Sequence, residues 1–107
     1  MGKDNLINIK FAEEEVEING EKYIIKEMNA GDASDYESSL FSMVNSKPVY
    51  NTKNAKPKLV MATLYQDGEK VFEAKDISLI EKMPSSILNK LFGVASNLNN
   101  IGAEEKN

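Results

Sequence analysis

The longest run of apolar residues at helical spacing lies between Pro84 and Gly102. Apolar side chains recur there every three or four residues: Ile87, Leu88, Leu91, Phe92, Val94, Ala95, Leu98 and Ile101. At roughly 100° per residue these side chains cover an arc of about 180° around the helix. The apolar stripe of an ordinary surface helix is only a little wider than ~100°. The pattern therefore predicts a helix with two neighbours. In the simpler interpretation both neighbours lie within the chain; in the other, one of them is a binding partner.

Alternating apolar and polar residues predict strands in the first quarter of the chain. Residues 6–11 alternate in this way and indicate a short strand. One side of that strand would carry the apolar residues Ile7, Ile9 and Phe11.

The pair Asn19-Gly20 separates two further apolar runs and predicts a β-hairpin over residues 14–26. A type I′ turn needs positive φ at both central residues, and asparagine followed by glycine is the preferred pair for it. Such a turn places four apolar side chains on one face: Val16, Ile18, Tyr23 and Ile25. Because an isolated hairpin is only marginally stable in water, we expect this face to rest on a helix.

Helical periodicity resumes after Asn29 and predicts a helix over residues 30–44. Asparagine is a favourable N-cap, and Asp32 in the first turn suits the positive end of the helix dipole. Tyr36 and Phe41 are predicted to be core side chains.

Residues 45–57 are predicted to form a loop, because two prolines and three asparagines occur there without apolar periodicity. This loop is the one locally basic stretch of an acidic chain. Its simplest role is that of a solvated connection. The functional alternative is a contact loop for an acidic partner, in which Val49 and Tyr50 would become ordered on binding.

The apolar run at 59–66 fits either a buried helix or a strand. Pro57 favours a helix, because proline suits the first helical turn. Asp67-Gly68 favours a strand that continues into a second hairpin. Further along, Asp76 can cap a short helix. The residues alone leave the choice at 59–66 open.

Composition excludes several kinds of chemistry. The chain of 107 residues contains neither cysteine nor histidine, which removes disulfides, thiolate zinc sites and histidine-based acid–base or nucleophilic catalysis. Glu13, Glu14 and Glu15 are adjacent, but neighbouring side chains of an extended segment point in opposite directions and do not converge on one ion. We therefore expect no enzyme, no cofactor, no metal site and no small-molecule substrate.

Charge and hydropathy narrow the choice of partners. No apolar run approaches the ~20 residues of a membrane span. The net charge of −4 disfavours nonspecific binding to nucleic acid or to an anionic membrane. We expect a cytoplasmic protein whose partners are other proteins.

The second half of the chain contains five features in a fixed order. They are an apolar segment from Leu59, the Asp67-Gly68 turn, Phe72, a helix start at Asp76 and a closing amphipathic helix. This succession resembles the tail assembly chaperones of long-tailed bacteriophages. The first half is similar more loosely, through its hairpin and a helix that carries Asp35-Tyr36-Glu37.

The resemblance favours a helix at 59–66, and hence a helical part over 58–101. The predicted fold is one α+β domain over residues 1–102, in which an N-terminal β-hairpin packs on a small bundle of about three to four helices. The polar residues 103–107 are predicted to be a disordered tail.

The resemblance also implies a function. The protein would bind the tape measure protein and keep it soluble while tail tube proteins assemble around it in the bacterial cytoplasm. Self-association and a longer product made by frameshifting are implied as well. The wide arc of the last helix then becomes a candidate protein-binding surface: Leu88, Leu91, Phe92, Ala95 and Leu98. The alternatives are a structural tail or neck component that stays in the virion, and a small regulatory binding protein.

Overall fold

The computed structural model describes residues 2–50 and 54–101, and these form an α+β fold, as predicted. The helices are α1 (Gly2–Ile7), α2 (Ala30–Ser39), α3 (Ala55–Thr63), α4 (Ile77–Ile80) and α5 (Ser85–Leu98), with a 3-10 turn at Ala74–Asp76 before α4. The strands are β1 (Glu13–Ile18), β2 (Glu21–Lys26), β3 (Phe41–Val44), β4 (Lys47–Tyr50), β5 (Leu64–Gln66) and β6 (Glu69–Lys70). The predicted disordered tail, 103–107, lies outside the described residues.

Four of these strands form one antiparallel sheet in the order β1-β2-β5-β6. Strands β3 and β4 form a separate two-stranded ribbon. In the first hairpin Val16 lies opposite Tyr23, which is the register that a two-residue turn dictates. The sheet is larger than the predicted hairpin, because Leu64 of β5 pairs with Ile25 of β2.

Each of the three hairpins turns on two residues with positive φ, as type I′ turns require. The turns are Asn19-Gly20, Asn45-Ser46 and Asp67-Gly68. The first turn was expected from its sequence. The third was expected only if the apolar run at 59–66 formed a strand. The second is unexpected, because neither of its residues is glycine.

The core forms where α5 packs against both α3 and the β1–β2 hairpin. One flank of α5 meets α3, where Lys56 lies over the ring of Phe92. Ile87 faces the hairpin side, where it lines a small cavity with Ile18 and Tyr23. Two intramolecular neighbours therefore account for the width of the apolar arc. The buried cluster contains Val16, Ile25, Met28, Tyr36, Leu40, Leu59, Val60, Leu64, Leu91 and Ala95.

The predicted strand at 6–11 is absent. Residues 2–7 form helix α1, and residues 9–12 have no regular structure. Backbone pairing begins at Ala12, whose carbonyl accepts a hydrogen bond of 2.8 Å from the Glu27 N–H. Ile9 is 57% exposed, so no apolar layer covers this segment. Alternation alone does not make a strand where there is no sheet face to join.

Helix α2 begins as predicted and ends five residues earlier. Asn29 caps it, with its Oδ1 accepting a hydrogen bond of 2.7 Å from the Asp32 N–H. The helix stops at Ser39, and Leu40 is its C-cap, so the prediction of a helix over 30–44 is wrong at its end. Residues beyond Leu40 enter β3 instead, because the turn that follows allows them to pair with β4.

The predicted loop over 45–57 is also wrong in part. Residues 47–50 are strand β4, and helix α3 starts at Ala55. Pro48 is compatible with a strand here, because β4 is an edge strand and proline is tolerated on an edge. The prolines and asparagines of this stretch therefore mark a strand end and a helix start as well as a connection.

Both interpretations of the run at 59–66 are partly right. Helix α3 continues to Thr63, whose hydroxyl donates a hydrogen bond of 2.7 Å to the carbonyl of Leu59. The next residue, Leu64, is extended, with ψ of 126°, and starts β5. The predicted helical part over 58–101 is thus interrupted by two strands, because the second edge of β2 offers this short run a pairing partner.

Candidate protein-binding surfaces

The α5 residues predicted to bind a partner lie in two different environments. Leu91 and Ala95 are buried in the core, with 3% and 0% of their surface exposed. Leu88, Phe92 and Leu98 are partly buried and pack against that core. All of them share one helix, but most of the arc contacts α3 and the hairpin. Only the exposed parts of Leu88, Phe92 and Leu98 remain open to a partner.

Lys56 covers part of Phe92. Its ammonium lies 5.7 Å from the ring centroid and donates a hydrogen bond of 2.7 Å to Asn89 Oδ1. A cation over an aromatic ring at an exposed site contributes ~0.5–1 kcal/mol. This cover is weak enough for a protein partner to displace, and the partner would meet Phe92 beside one positive charge.

Strongly exposed apolar side chains lie on the β3–β4 ribbon. Cross-strand pairing brings four of them to one face, which we call the ribbon patch: Phe41, Met43, Pro48 and Tyr50. The rings of Phe41 and Tyr50 are 5.1 Å apart, with an interplanar angle of 56°. Phe41 is 53% exposed and Met43 68%, so the prediction that Phe41 is a core side chain is wrong.

The ribbon stands apart from the four-stranded sheet. Every residue of β3 and β4 is exposed. A two-stranded ribbon without a third strand or a helix beneath it is at best marginally stable in water. Contiguous apolar surface exposed in this way marks interaction sites on proteins. The ribbon patch is therefore a candidate surface for a protein partner.

A second exposed group lies in the N-terminal segment, and we call it the N-terminal patch: Leu6, Ile7, Ile9 and Phe11. No residue of α1 is buried. The segment is attached to the sheet at its carboxyl end, where the Ala12 N–H donates a hydrogen bond of 3.0 Å to Glu27 Oε1. The exposed fraction is 78% for Ile7 and 51% for Phe11. This patch is thus presented to solvent by a segment that the sheet holds at one end.

Charges of opposite sign lie near the two patches in the sequence. Residues 38–66 contain four lysines and no acidic residue, and Lys47 is the first residue of β4. The N-terminal patch leads directly into Glu13, Glu14 and Glu15, which are exposed on β1. Lys47 pairs with Val44 and so lies on the ribbon face opposite the ribbon patch, near it in sequence but not on the same face.

A groove of about 440 Å³ lies between α2, α3 and the start of α4. Its lining combines apolar side chains with charges of both signs: Asp32, Asp35, Tyr36, Ser39, Lys58, Met61, Ala62, Lys70, Ala74 and Ile77. Lys58 Nζ donates a hydrogen bond of 2.8 Å to the carbonyl of Ser39. Within residues 2–50 and 54–101, acidic side chains do not gather into a group that could hold a metal ion. The groove is a contact surface of mixed charge.

Sequence reasoning offered Val49 and Tyr50 as contact residues of a loop, but it missed the ribbon that joins Tyr50 to Phe41, and it missed the N-terminal patch. A signal for the ribbon was present, because the pair Asn45-Ser46 separates two runs of four residues rich in apolar and aromatic types. No local signal distinguishes the N-terminal patch from a strand, since its alternation is the same whether or not a neighbouring layer covers it.

The structure is similar to that of the tail assembly chaperone of bacteriophage HK97, with a TM-score of 0.61. The two sequences are 16% identical, and the alignment covers 91% of this chain and 96% of the other. The resemblance drawn from the sequence is confirmed at the level of the fold. No family model matches this chain, and no curated protein does. Among the described helices, none is long and apolar enough to cross a membrane.

Proposed function

We propose that this protein is a phage tail assembly chaperone, a non-catalytic protein that binds the tape measure protein during tail assembly. One observation carries the proposal: the chain shares its fold with such a chaperone over 91% of its length. The succession of the second half, from the apolar segment at Leu59 to the closing amphipathic helix α5, supports the same assignment.

The surface of the protein suits a role in shielding an apolar client. The ribbon patch and the N-terminal patch expose apolar side chains on a molecule with a net charge of −4. Apolar patches of this kind make contacts with other proteins, while net charge opposes precipitation of the chaperone and its complex. A chaperone needs both properties, because it must contact an aggregation-prone protein and remain in solution.

Within this proposal, the exposed parts of Leu88, Phe92 and Leu98 contact the tape measure protein. Leu91 and Ala95 hold α5 in place against the core and do not touch the partner. Three partly buried side chains offer only part of their surface on one copy, and small contacts are typical of weak and transient complexes. Several copies on one long client would act together, so that the client stays covered while each contact remains reversible.

Self-association and recruitment of the tail tube protein belong to the same proposal, as does action in the cytoplasm of the bacterial host. The longer frameshifted product is part of it too. The last residues, Glu105-Lys106-Asn107, permit an adenine run in the gene. A fused extension at this end would join a second binding module to the chaperone at high effective concentration.

The proposal is tested in the phage or prophage that encodes the chain. An early stop codon in the gene should abolish tails, and supplying the protein in trans should restore them. Purified tails should not contain the chain, because a chaperone leaves before the tail is complete. Normal tails in the absence of the protein would contradict the proposal. A stoichiometric copy in purified tails would identify a structural tail component instead.

Matched variants test the surface on α5. Phe92→Ser should restore few tails in the same assay, because it removes the aromatic contact. Asn97→Ser changes an exposed polar residue of the same helix and should restore tails as the unmodified protein does. Circular dichroism of both purified variants shows whether each is folded. A folded Phe92→Ser variant that restores tails fully would remove Phe92 from the binding surface.

A further inference from the structure

Lys56 places a cation without a carboxylate partner over the α5 surface. Its ammonium is held by a neutral group, because it donates its hydrogen bond of 2.7 Å to the side-chain oxygen of Asn89. The ion pair found among the described residues joins Lys75 to Glu73 instead, at 3.4 Å. Within residues 2–50 and 54–101, no carboxylate therefore neutralises Lys56, although the chain contains 17 acidic residues.

The two helices that meet at this surface are basic, whereas the protein is acidic. Helix α3 carries Lys56 and Lys58, helix α5 carries Lys90, and neither helix contains an aspartate or a glutamate. Lys58 and Lys90 also donate to neutral acceptors, in both cases a backbone carbonyl. The positive charge beside Phe92 is thus held in place by the fold and left available to a partner of opposite charge.

A partner that covers Phe92 must also remove water from the ammonium of Lys56, which lies 5.7 Å from the centre of the Phe92 ring. Burying a charged group is costly unless an opposite charge and hydrogen bonds compensate it. A lysine ammonium has three donors, and the bond to Asn89 uses one of them. A carboxylate of the partner can therefore bond to Lys56 while Asn89 still holds the ammonium over the ring.

We propose that this surface takes an amphipathic segment of the tape measure protein in which an aspartate or glutamate borders an apolar side chain. The apolar side chain contacts Phe92 and Leu88, which are four residues apart and share one face of α5. The carboxylate bonds to Lys56. Asn89 is a positioning residue, because it holds the ammonium without neutralising it. The inference rests on the proposed function and adds the chemistry by which the surface selects its segment.

Other segments are disfavoured by the same charge. An uncharged apolar segment leaves the ammonium of Lys56 buried without an ionised partner, or displaces it from the ring of Phe92. A basic segment brings like charges together, which is unfavourable at an interface. Because an exposed ion pair adds little to affinity, the role of Lys56 is to discriminate between segments and not to bind tightly.

Overlapping peptides that span the cognate tape measure protein are the probe for this selection. Fluorescence anisotropy at low salt measures the binding of each peptide to the purified chain. We expect the peptides that bind to contain an acidic residue beside an apolar one. In the tightest of them, replacing that acid by its amide should weaken binding roughly two- to fivefold, the range of an exposed ion pair. Lys56→Gln in the protein should weaken binding of the unmodified peptide by the same factor.

Combining the two changes separates recognition from a structural role. The Lys56→Gln variant and the amide peptide together should bind no more weakly than either change alone, since both remove the same ion pair. If Lys56 only supported the fold, the two losses would multiply. Lys56→Arg keeps the positive charge and should bind as the unmodified protein does. The matched control is Lys82→Gln, which removes the charge of an exposed lysine outside α3 and α5 and should leave binding unchanged.

Circular dichroism shows whether each variant is folded, and the amide peptide tests the contact with the protein unmodified. Binding by peptides that lack acidic residues would overturn the inference, as would losses that multiply. A Lys56→Gln variant that binds the acidic peptide as tightly as the unmodified protein would also overturn it. If no peptide of the tape measure protein binds, the inference fails together with the proposed contact on which it rests, so the two failures are distinguishable.

Discussion

Replacing Gly20 and Gly93 by alanine, one at a time, should change stability in opposite directions. Gly20 lies in the turn of the first hairpin with φ of +85°, whereas Gly93 is an exposed residue within helix α5. At both sites a Cβ atom would have no heavy atom within 4 Å apart from its chain neighbours and, at Gly93, the backbone of its own helix. A steric clash is therefore excluded in both variants, and only the backbone conformation distinguishes them.

The magnitudes follow from those conformations. An L-residue in the left-handed region costs roughly 1–2 kcal/mol, while loss of glycine freedom in the unfolded chain returns ~0.4–1 kcal/mol. Gly20→Ala should therefore destabilise the protein by about 1 kcal/mol. In a helix interior alanine is more stabilising than glycine by about 0.5–1 kcal/mol of folding free energy, so Gly93→Ala should stabilise the protein by that amount. For a domain of this size, about 1 kcal/mol shifts Tm by roughly 4–8 °C.

Urea unfolding at low protein concentration measures both changes, with the midpoint moving while the m-value stays constant. Low concentration matters, because association would add a concentration-dependent term to the stability. Equal midpoints for Gly20→Ala and the unmodified protein would refute the positive φ at Gly20. A Gly93→Ala variant less stable than the unmodified protein would refute the exposed position of Gly93 on α5.

Further predictions concern the core and a helix cap. Leu59→Ala should cost about 2–5 kcal/mol in urea unfolding, because Leu59 is fully buried between the helices and the sheet; a loss below about 1 kcal/mol would show that this position is not core. Asn29→Ala should cost about 1 kcal/mol, because it removes the acceptor for the Asp32 N–H, whereas Asn29→Ser should retain most of the stability. Equal stability of the Asn29→Ala and Asn29→Ser variants would contradict the capping role.

The elements that were predictable from the sequence are those defined by local chemistry. The turn at Asn19-Gly20 needs only two residues that accept positive φ, and Asn29 needs only an amide oxygen at the start of a helix. The periodicity of α5 is also local, since a wide apolar arc predicts two neighbours without saying which they are. The structure identifies them as α3 and the first hairpin.

Features that depend on distant partners were not predictable. The run at 59–66 divides at Leu64 because β2 has an edge to pair with, and that edge is far away in the sequence. Phe41 is a large apolar residue of the kind that usually lies in a core, yet no layer of the described chain covers it. The same limit applies to the candidate site. Periodicity identifies the five candidate residues of α5, but the packing of the core decides that Leu91 and Ala95 are buried and that Leu88, Phe92 and Leu98 stay partly exposed.

The most direct test of the proposed function is the solubility of the cognate tape measure protein when it is co-expressed with this chain. The quantity to measure is the fraction of tape measure protein in the supernatant after centrifugation, with the chain present and absent. The Leu91→Asp variant, which places a charge in the core, serves as the unfolded control. We expect most of the tape measure protein in the supernatant with the unmodified chain, and in the pellet without it or with the control. Equal amounts in the pellet in all three cases would contradict the proposed function.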